Sequence, residues 1–155
     1  MVKSFQGVRQ EKPKKSPVQD VHVKDYMTPK SKLITFHPDQ TMDDVIKTLL
    51  DKKISGGPVI DDEGKLVGII SEGDCLKEVV KGKYTHTPVL HGKASEHMAT
   101  DVKTMDAELN IFDAAGKFLE MKLRRFPVLK DGKLLGQISQ RDVMQAVQNL
   151  KDSTW

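Results

Sequence analysis

Two stretches of this chain place a serine hydroxyl and a carboxylate three residues apart: Gly68-Ile69-Ile70-Ser71-Glu72-Gly73-Asp74 and Gly136-Gln137-Ile138-Ser139-Gln140-Arg141-Asp142. A carboxylate such as Asp74 or Asp142 can accept hydrogen bonds from both vicinal hydroxyls of a ribose. Ser71 or Ser139, together with the free N–H groups of a helix start, can meet a phosphate. The same spacing also describes an ordinary helix start, in which the two side chains satisfy backbone donors. Charge separates the two stretches. The second has Arg124 and Arg125 before Pro127 and Arg141 within the motif, and guanidinium forks suit phosphate oxygens. The first has Ser55, Gly56 and Gly57 before Pro58, and Glu72-Gly73 within the motif.

These residues sit at matching places in two copies of one string of elements, and an internal repeat of this kind decides the architecture. Met42, Val45, Ile46, Leu49 and Leu50 follow the spacing of one helix face, as do Ile111, Ala114, Ala115, Phe118 and Leu119. Thr41 and Asn110 stand before these runs as N-caps. Pro58-Val59-Ile60 and Pro127-Val128-Leu129 read as strands opened by proline. Turns at Asp61–Gly64 and Lys130–Gly132 lead to second strands, Leu66–Ile70 and Leu134–Ile138, and Ser71 and Ser139 then open a last helix. Upstream, Val23–Met27 and Lys93–Met98 start the copies as short helices, followed by strand candidates Lys32–Phe36 and Asp101–Met105. One repeat is thus a short helix, strand, helix, strand, strand, helix.

A chain of 155 residues suits one compact domain or two small lobes, neither of which buries enough apolar surface alone. The copies are therefore expected to pack on each other as a pseudo-symmetric pair. The expected division is a basic arm over 1–20 whose composition reads as disordered, repeat one over 21–82, a linker over 83–92, repeat two over 93–150 and a tail over 151–155. No apolar run approaches the roughly 20 residues of a membrane helix, and the start lacks the apolar core of a secretion signal. The expectation is a soluble, cytoplasmic protein without a membrane partner. The net charge of +3 comes largely from the arm, so a basic nucleic-acid surface is not indicated. Cys75 is the sole cysteine, which excludes an internal disulfide, and it reads as an inert half-buried thiol. His86, His91 and His97 with Glu96 lack the spacing of a helical zinc pair, so no metal site is expected.

The paired Gly-x-x-Ser-x-x-Asp segments, the paired x-Pro-Val-x strands and the order of elements between them resemble the CBS-domain pair, or Bateman module, from about Val23 to Leu150. The resemblance implies an α+β (or α/β) fold of two tandem β-α-β-β-α repeats, packed through their sheets as a pseudo-two-fold pair. It further implies two related clefts that often hold AMP, ADP, ATP or S-adenosylmethionine, and a disc-like homodimer that regulates a partner protein rather than catalysing. With no catalytic or transport domain attached, the chain looks like a stand-alone CBS-pair protein. The regions expected to line the clefts are Thr35 and Thr104 at strand beginnings, Ile54, Ser55, Gly56 and Pro58 in copy one, and Leu123, Arg124, Arg125, Phe126 and Pro127 in copy two. Ser71, Asp74, Ser139, Asp142 and Arg141 complete that set. Copy two is expected to supply the phosphate clamp, so the clefts should differ in ligand or occupancy.

The leading reading is a regulatory module sensing an adenosine-containing nucleotide, with no required cofactor. The alternative is an interaction or scaffold dimer with vestigial clefts. No Walker-type glycine loop, cysteine–histidine pair or magnesium-binding carboxylate cluster points to an enzyme.

Overall fold

The computed structural model describes residues 20–85 and 91–153. The expected basic arm, the middle of the linker with His86, and Trp155 lie outside them. In chain order the elements are α1 (Val23–Tyr26), β1 (Thr28–Pro29), α2 (Met42–Lys52), β2 (Gly56–Ile60), β3 (Leu66–Ser71), α3 (Glu72–Thr85), α4 (Ala94–His97), β4 (Met105–Asp106), α5 (Ile111–Met121), β5 (Arg125–Lys130), β6 (Lys133–Ser139) and α6 (Gln140–Ser153). Helices α3 and α6 thus run past the repeat ends expected at 82 and 150.

Local chemistry sets α2 and α5. Thr41 Oγ1 accepts from the Asp44 N–H at 3.1 Å, and Asn110 Oδ1 accepts from the Asp113 N–H at 2.8 Å, each filling one orphan donor of the first turn. Each helix ends in a left-handed lysine, Lys53 or Lys122, whose N–H caps the last turn. The apolar stripe turns Met42, Val45 and Leu49, and Ile111, Ala114 and Phe118, into the core. Its outer members do not follow: Leu50 is 71% exposed and Leu119 79%.

Strands β2 and β3 form one antiparallel hairpin, and β5 and β6 another, within a four-stranded sheet of order β1-β6-β5-β4. The pairing exchanges segments between copies. Thr28 and Pro29, from the start of copy one, pair with Gln137 and Gly136 of copy two. Ala99, from the start of copy two, bridges Ile69 of copy one. Gly136 and Gly68 make this possible: a Cβ at Gly136 would run into the Thr28 carbonyl and the Met27 side chain, and one at Gly68 would lie 2.8 Å from the Ala99 carbonyl.

The short helices follow their strands. Val23 of α1 is buried in the copy-two core with Met105, Phe126, Val128, Ile138 and Val143, while Ala94 of α4 is buried in the copy-one core with Phe36, Val45, Val59 and Ile70. Each copy therefore completes the other. The hairpins also meet directly, through the Leu66 N–H to the Gly132 carbonyl at 3.3 Å and the Leu134 N–H to the Gly64 carbonyl at 3.0 Å.

The expected strand at Lys32–Phe36 shrinks to a single parallel bridge between Phe36 and Val59. Its donors are spent elsewhere: the Leu33 N–H closes a 3-10 turn on Lys30 at 3.0 Å, the His37 N–H bonds Gln40 Oε1 at 2.8 Å, and Pro38 has no N–H. The matching strand in copy two forms later than expected, as β4, parallel to β5.

Candidate functional site

Each Ser-x-x-Asp motif closes on itself at the junction of a strand and a helix. The Ser71 N–H donates to Asp74 Oδ2 at 2.9 Å, and the Ser139 N–H to Asp142 Oδ2 at 2.8 Å. The helix-start reading is therefore correct for both motifs. It leaves chemistry to spare, because among the described residues Oδ1 of each aspartate makes no hydrogen bond.

The hydroxyls are used differently. Ser71 Oγ–H donates to Asp74 Oδ2 at 3.1 Å, which commits its hydrogen. Ser139 Oγ instead accepts from the Asp142 N–H at 3.2 Å, so its hydrogen stays available to an incoming oxygen. The backbone carbonyls of the pre-proline segments hold the helix starts in place, through the Glu72 N–H to Ser55 at 2.9 Å and the Gln140 N–H to Arg124 at 3.2 Å.

A cleft of about 190 Å³ lies on the seam between the two hairpins, lined by Ser55, Gly56, Gly57, Pro58, Ile69 and Ser71 of copy one and Arg125, Pro127 and Gln137 of copy two. Of the residues expected to bind ligand, it brings together Ser55, Gly56, Pro58, Ser71, Arg125 and Pro127. Gly57, Ile69 and Gln137 were not in the expected set. The signal for Gln137 was its polarity in an otherwise apolar strand, and for Ile69 its register opposite Pro58.

Asp74, Asp142, Ser139, Arg141, Arg124, Thr35 and Thr104 do not line the seam. Three further expected residues are placed as follows. Phe126 is wholly buried, packed edge-on against Phe118 with ring centroids 4.9 Å apart, so its side chain is core and cannot touch a cleft ligand. Ile54 lines a groove between α2 and α3 on the outer helical face, one residue before Ser55 enters the seam. Leu123 contributes its carbonyl to Gln140 Nε2 at 3.1 Å, and its side chain is exposed.

The seam carries one charged side chain, Arg125, and no carboxylate. Among the described residues Arg124, Arg125 and Arg141 make no ion pair and no side-chain hydrogen bond. A guanidinium without a partner beside a carboxylate-free cleft is a ready anion contact. Helix α3 begins with both Glu72 and Asp74, whereas α6 has Asp142 alone in its first turn. Those acids reach Cys75: burial pushes its thiol pKa up, and the charges of Asp74 and Glu72 add to the effect, which leaves it a poor nucleophile.

On the outside, α2 and α3 expose Leu50, Leu76, Val79 and Val80, and α5 and α6 expose Phe112, Leu119, Met144 and Val147. Among the described residues no helix is long and apolar enough to cross a membrane.

Comparison with known proteins agrees with this geometry. The CBS domain family matches residues 23–81 and 94–149, one match per copy. The chloroplastic CBS domain-containing protein CBSX2 of Arabidopsis thaliana is 31% identical, over 85% of this chain and 66% of its own length; CBSX1 of the same plant is also 31% identical, over 89% and 69%. The crystal structure of CBSX2 in complex with AMP superposes with a TM-score of 0.70 at 34% identity, covering 84% of this chain and 98% of that one. The crystal structure of CbpB in complex with c-di-AMP shares the fold, with a TM-score of 0.73 at 23% identity over 86% of this chain and 88% of that one. This chain belongs to the CBS-domain family, as a tandem pair of CBS repeats.

Proposed function

We propose that this chain is a regulatory module that senses an adenosine-containing nucleotide, AMP, ADP or ATP, in the seam between its repeats. The observation that carries the reading is the seam itself, where both copies contribute walls, Arg125 of copy two joins the glycine edge of copy one and no carboxylate is among the lining residues. The AMP complex of CBSX2 supports the choice of ligand class. Pro58, Pro127 and Ile69 offer apolar walls to a base, and Arg125 offers a fork to a phosphate.

A ligand held by both copies binds best at one relative placement of them. It therefore biases their arrangement by its difference in affinity between placements. The exposed apolar residues of α2, α3, α5 and α6 support a homodimer through the helical faces, and through it a change that a regulated partner reads. The protein does no catalysis in this reading, and a cytoplasmic location remains part of the proposal, to be checked by fractionation. S-adenosylmethionine is the competing ligand within the class.

Titration calorimetry with adenosine, AMP, ADP, ATP and S-adenosylmethionine tests it, using protein stripped of bound nucleotide. Saturable binding of at least one, weakened by Arg125→Gln, supports the sensor. No binding by any of the five, with a stable dimer in sedimentation, would leave a scaffold dimer with vestigial clefts.

A further inference from the structure

Strand alternation in β6 puts Gln137 on the seam. Gly136 and Ile138 on either side of it are buried, so the side chain between them points to the opposite face of the sheet, where it lines the seam with Arg125 and Pro127. The main chain is held from both sides: Gln137 lies opposite Thr28 of β1 in one ladder and opposite Pro127 of β5 in the other.

The amide of Gln137 is unspent. Among the described residues two other amide side chains are half-buried, and both are used: Gln40 Oε1 accepts from the His37 N–H at 2.8 Å, and Asn110 Oδ1 from the Asp113 N–H at 2.8 Å. The Gln137 side chain makes no hydrogen bond among these residues, which leaves an acceptor and a donor side by side at the cleft. In copy one the same place holds Ile69, opposite Pro58 as Gln137 is opposite Pro127. Isoleucine continues the apolar wall and can bond nothing. The two long polar side chains of the lining, Arg125 and Gln137, thus both come from copy two.

Arg125 stands two residues before Pro127 on β5, which makes it a diagonal neighbour of Gln137 on one face of an antiparallel pair, about 7–8 Å away. One nucleotide can therefore touch both, its phosphate at the guanidinium and its base at the amide, with the ribose between. A side-chain amide is complementary to a base edge that sets a donor beside an acceptor. Adenine offers that pair on either side of its exocyclic amino group, with N1 or with N7. Hypoxanthine and guanine carry a carbonyl at the same carbon. Beside N7 this makes two acceptors, and the amide must then turn its own oxygen against one of them.

We propose that Gln137 reads the base of the bound nucleotide: Oε1 accepts from the 6-amino group of adenine and Nε2 donates to the adjacent ring nitrogen, which selects adenine over the 6-oxo purines. This rests on the nucleotide-sensing reading of the seam and adds to it the residue that sets base specificity. The selection is made by one side chain of copy two, at a position where copy one has Ile69.

Titration calorimetry of nucleotide-free wild type, Gln137→Met and Arg125→Gln, with AMP against IMP and with ATP against ITP, tests the assignment. Methionine keeps the length of the side chain and removes both hydrogen-bonding groups. Wild type should prefer the adenine member of a pair by about tenfold or more. In Gln137→Met the adenine nucleotide should bind more weakly and the 6-oxo nucleotide as before, so that the preference collapses. Gln137→Leu, closer in shape to the isoleucine of copy one, is the second variant and should behave likewise. Arg125→Gln should weaken both members of a pair alike and keep the preference. A wild type that binds both members equally, or a preference that survives both Gln137 variants, would overturn the assignment and leave the nucleotide reading standing. Binding of none of the four nucleotides by wild type would remove both.

Discussion

At the opening of its hairpin copy one carries Gly56 and Gly57, and copy two carries Arg125 and Phe126 at the same register, opposite Ser71 and Ile70 in one case and Ser139 and Ile138 in the other. The inner pair shows how one core is filled in two ways. In copy two Phe126 fills the space behind the sheet, and Met105 stands on the parallel neighbour opposite Val128. In copy one the ring comes from that neighbouring position instead, as Phe36 opposite Val59, and its edge lies 3.0 Å from where a Cβ on Gly57 would be. The outer pair differs in kind as well. Gly56 has no room for a side chain, since a Cβ there would lie 2.6 Å from the Ile70 carbonyl, whereas copy two carries Arg125, so the seam gains a single cation against an uncharged edge.

The largest effect that would break this pairing of cores is loss of either ring. Phe126→Ala and Phe36→Ala should each cost about 3–5 kcal/mol in denaturant unfolding, since both rings are fully or nearly fully buried. If the two positions are alternative sources of one ring, Gly57→Phe alone should destabilise by about 1–3 kcal/mol through contact with the Ile34 carbonyl and Phe36, and Gly57→Phe with Phe36→Met should recover the part due to Phe36. A double variant no better than the sum of the singles would dissolve the equivalence.

Next in size are the crossings. Gly136→Ala and Gly68→Ala meet backbone carbonyls of the exchanged segments, which cannot move aside as a flexible side chain can. Both should lose about 1–3 kcal/mol in chemical denaturation, because the same approach recurs in both copies. A neutral result at one of them would mean that its exchanged segment is not required.

Arg125→Gln should then weaken the binding of a phosphorylated nucleotide by roughly tenfold, read by calorimetry, and leave binding of unphosphorylated adenosine alone. Equal losses for both ligands would remove the phosphate role from Arg125. The caps should be equal in the two copies: Thr41→Ala and Asn110→Ala each cost about 1 kcal/mol in thermal melts.

The smallest effect concerns the Lys24–Glu108 pair, 2.8 Å apart, which ties α1 to copy two. A side-chain hydrogen bond with its partner lowers the pKa of Glu108 and raises that of Lys24. Any stabilisation is thus present between the two titrations. It fades as pH falls below the ordinary glutamate value of 4.5, and again as pH rises above the lysine value of 10.5. Because the pair is exposed, Glu108→Gln should barely change the melting point at pH 7 and should not change it at pH 3.

Much of this was legible in the residues. The periods of α2 and α5, the capping oxygens of Thr41 and Asn110, and the Ser-x-x-Asp helix starts are set by neighbours in the chain, and local physics places them without help. The same local view failed at Phe126, which reads as a cleft residue because it precedes Pro127, yet faces inward because strand alternation puts Arg125 and Phe126 on opposite faces. It also failed at Ile54, which lines the groove between α2 and α3, two helices that only the tertiary fold brings together.

The sequence by itself determined the repeat, its element order, its helix starts and the charge difference between the copies, because each of these is carried by residues within a few positions of one another. Only the tertiary structure decided that α1 completes the second core and α4 the first, and that the seam joins the glycine edge of copy one to Arg125 of copy two. Both copies present nearly the same apolar surfaces, so neither pattern nor propensity distinguishes a segment folding onto its own repeat from one folding onto its twin. The choice is made by packing, where Gly68 and Gly136 leave room for the crossing strands and the short connections after α1 and α4 lead there.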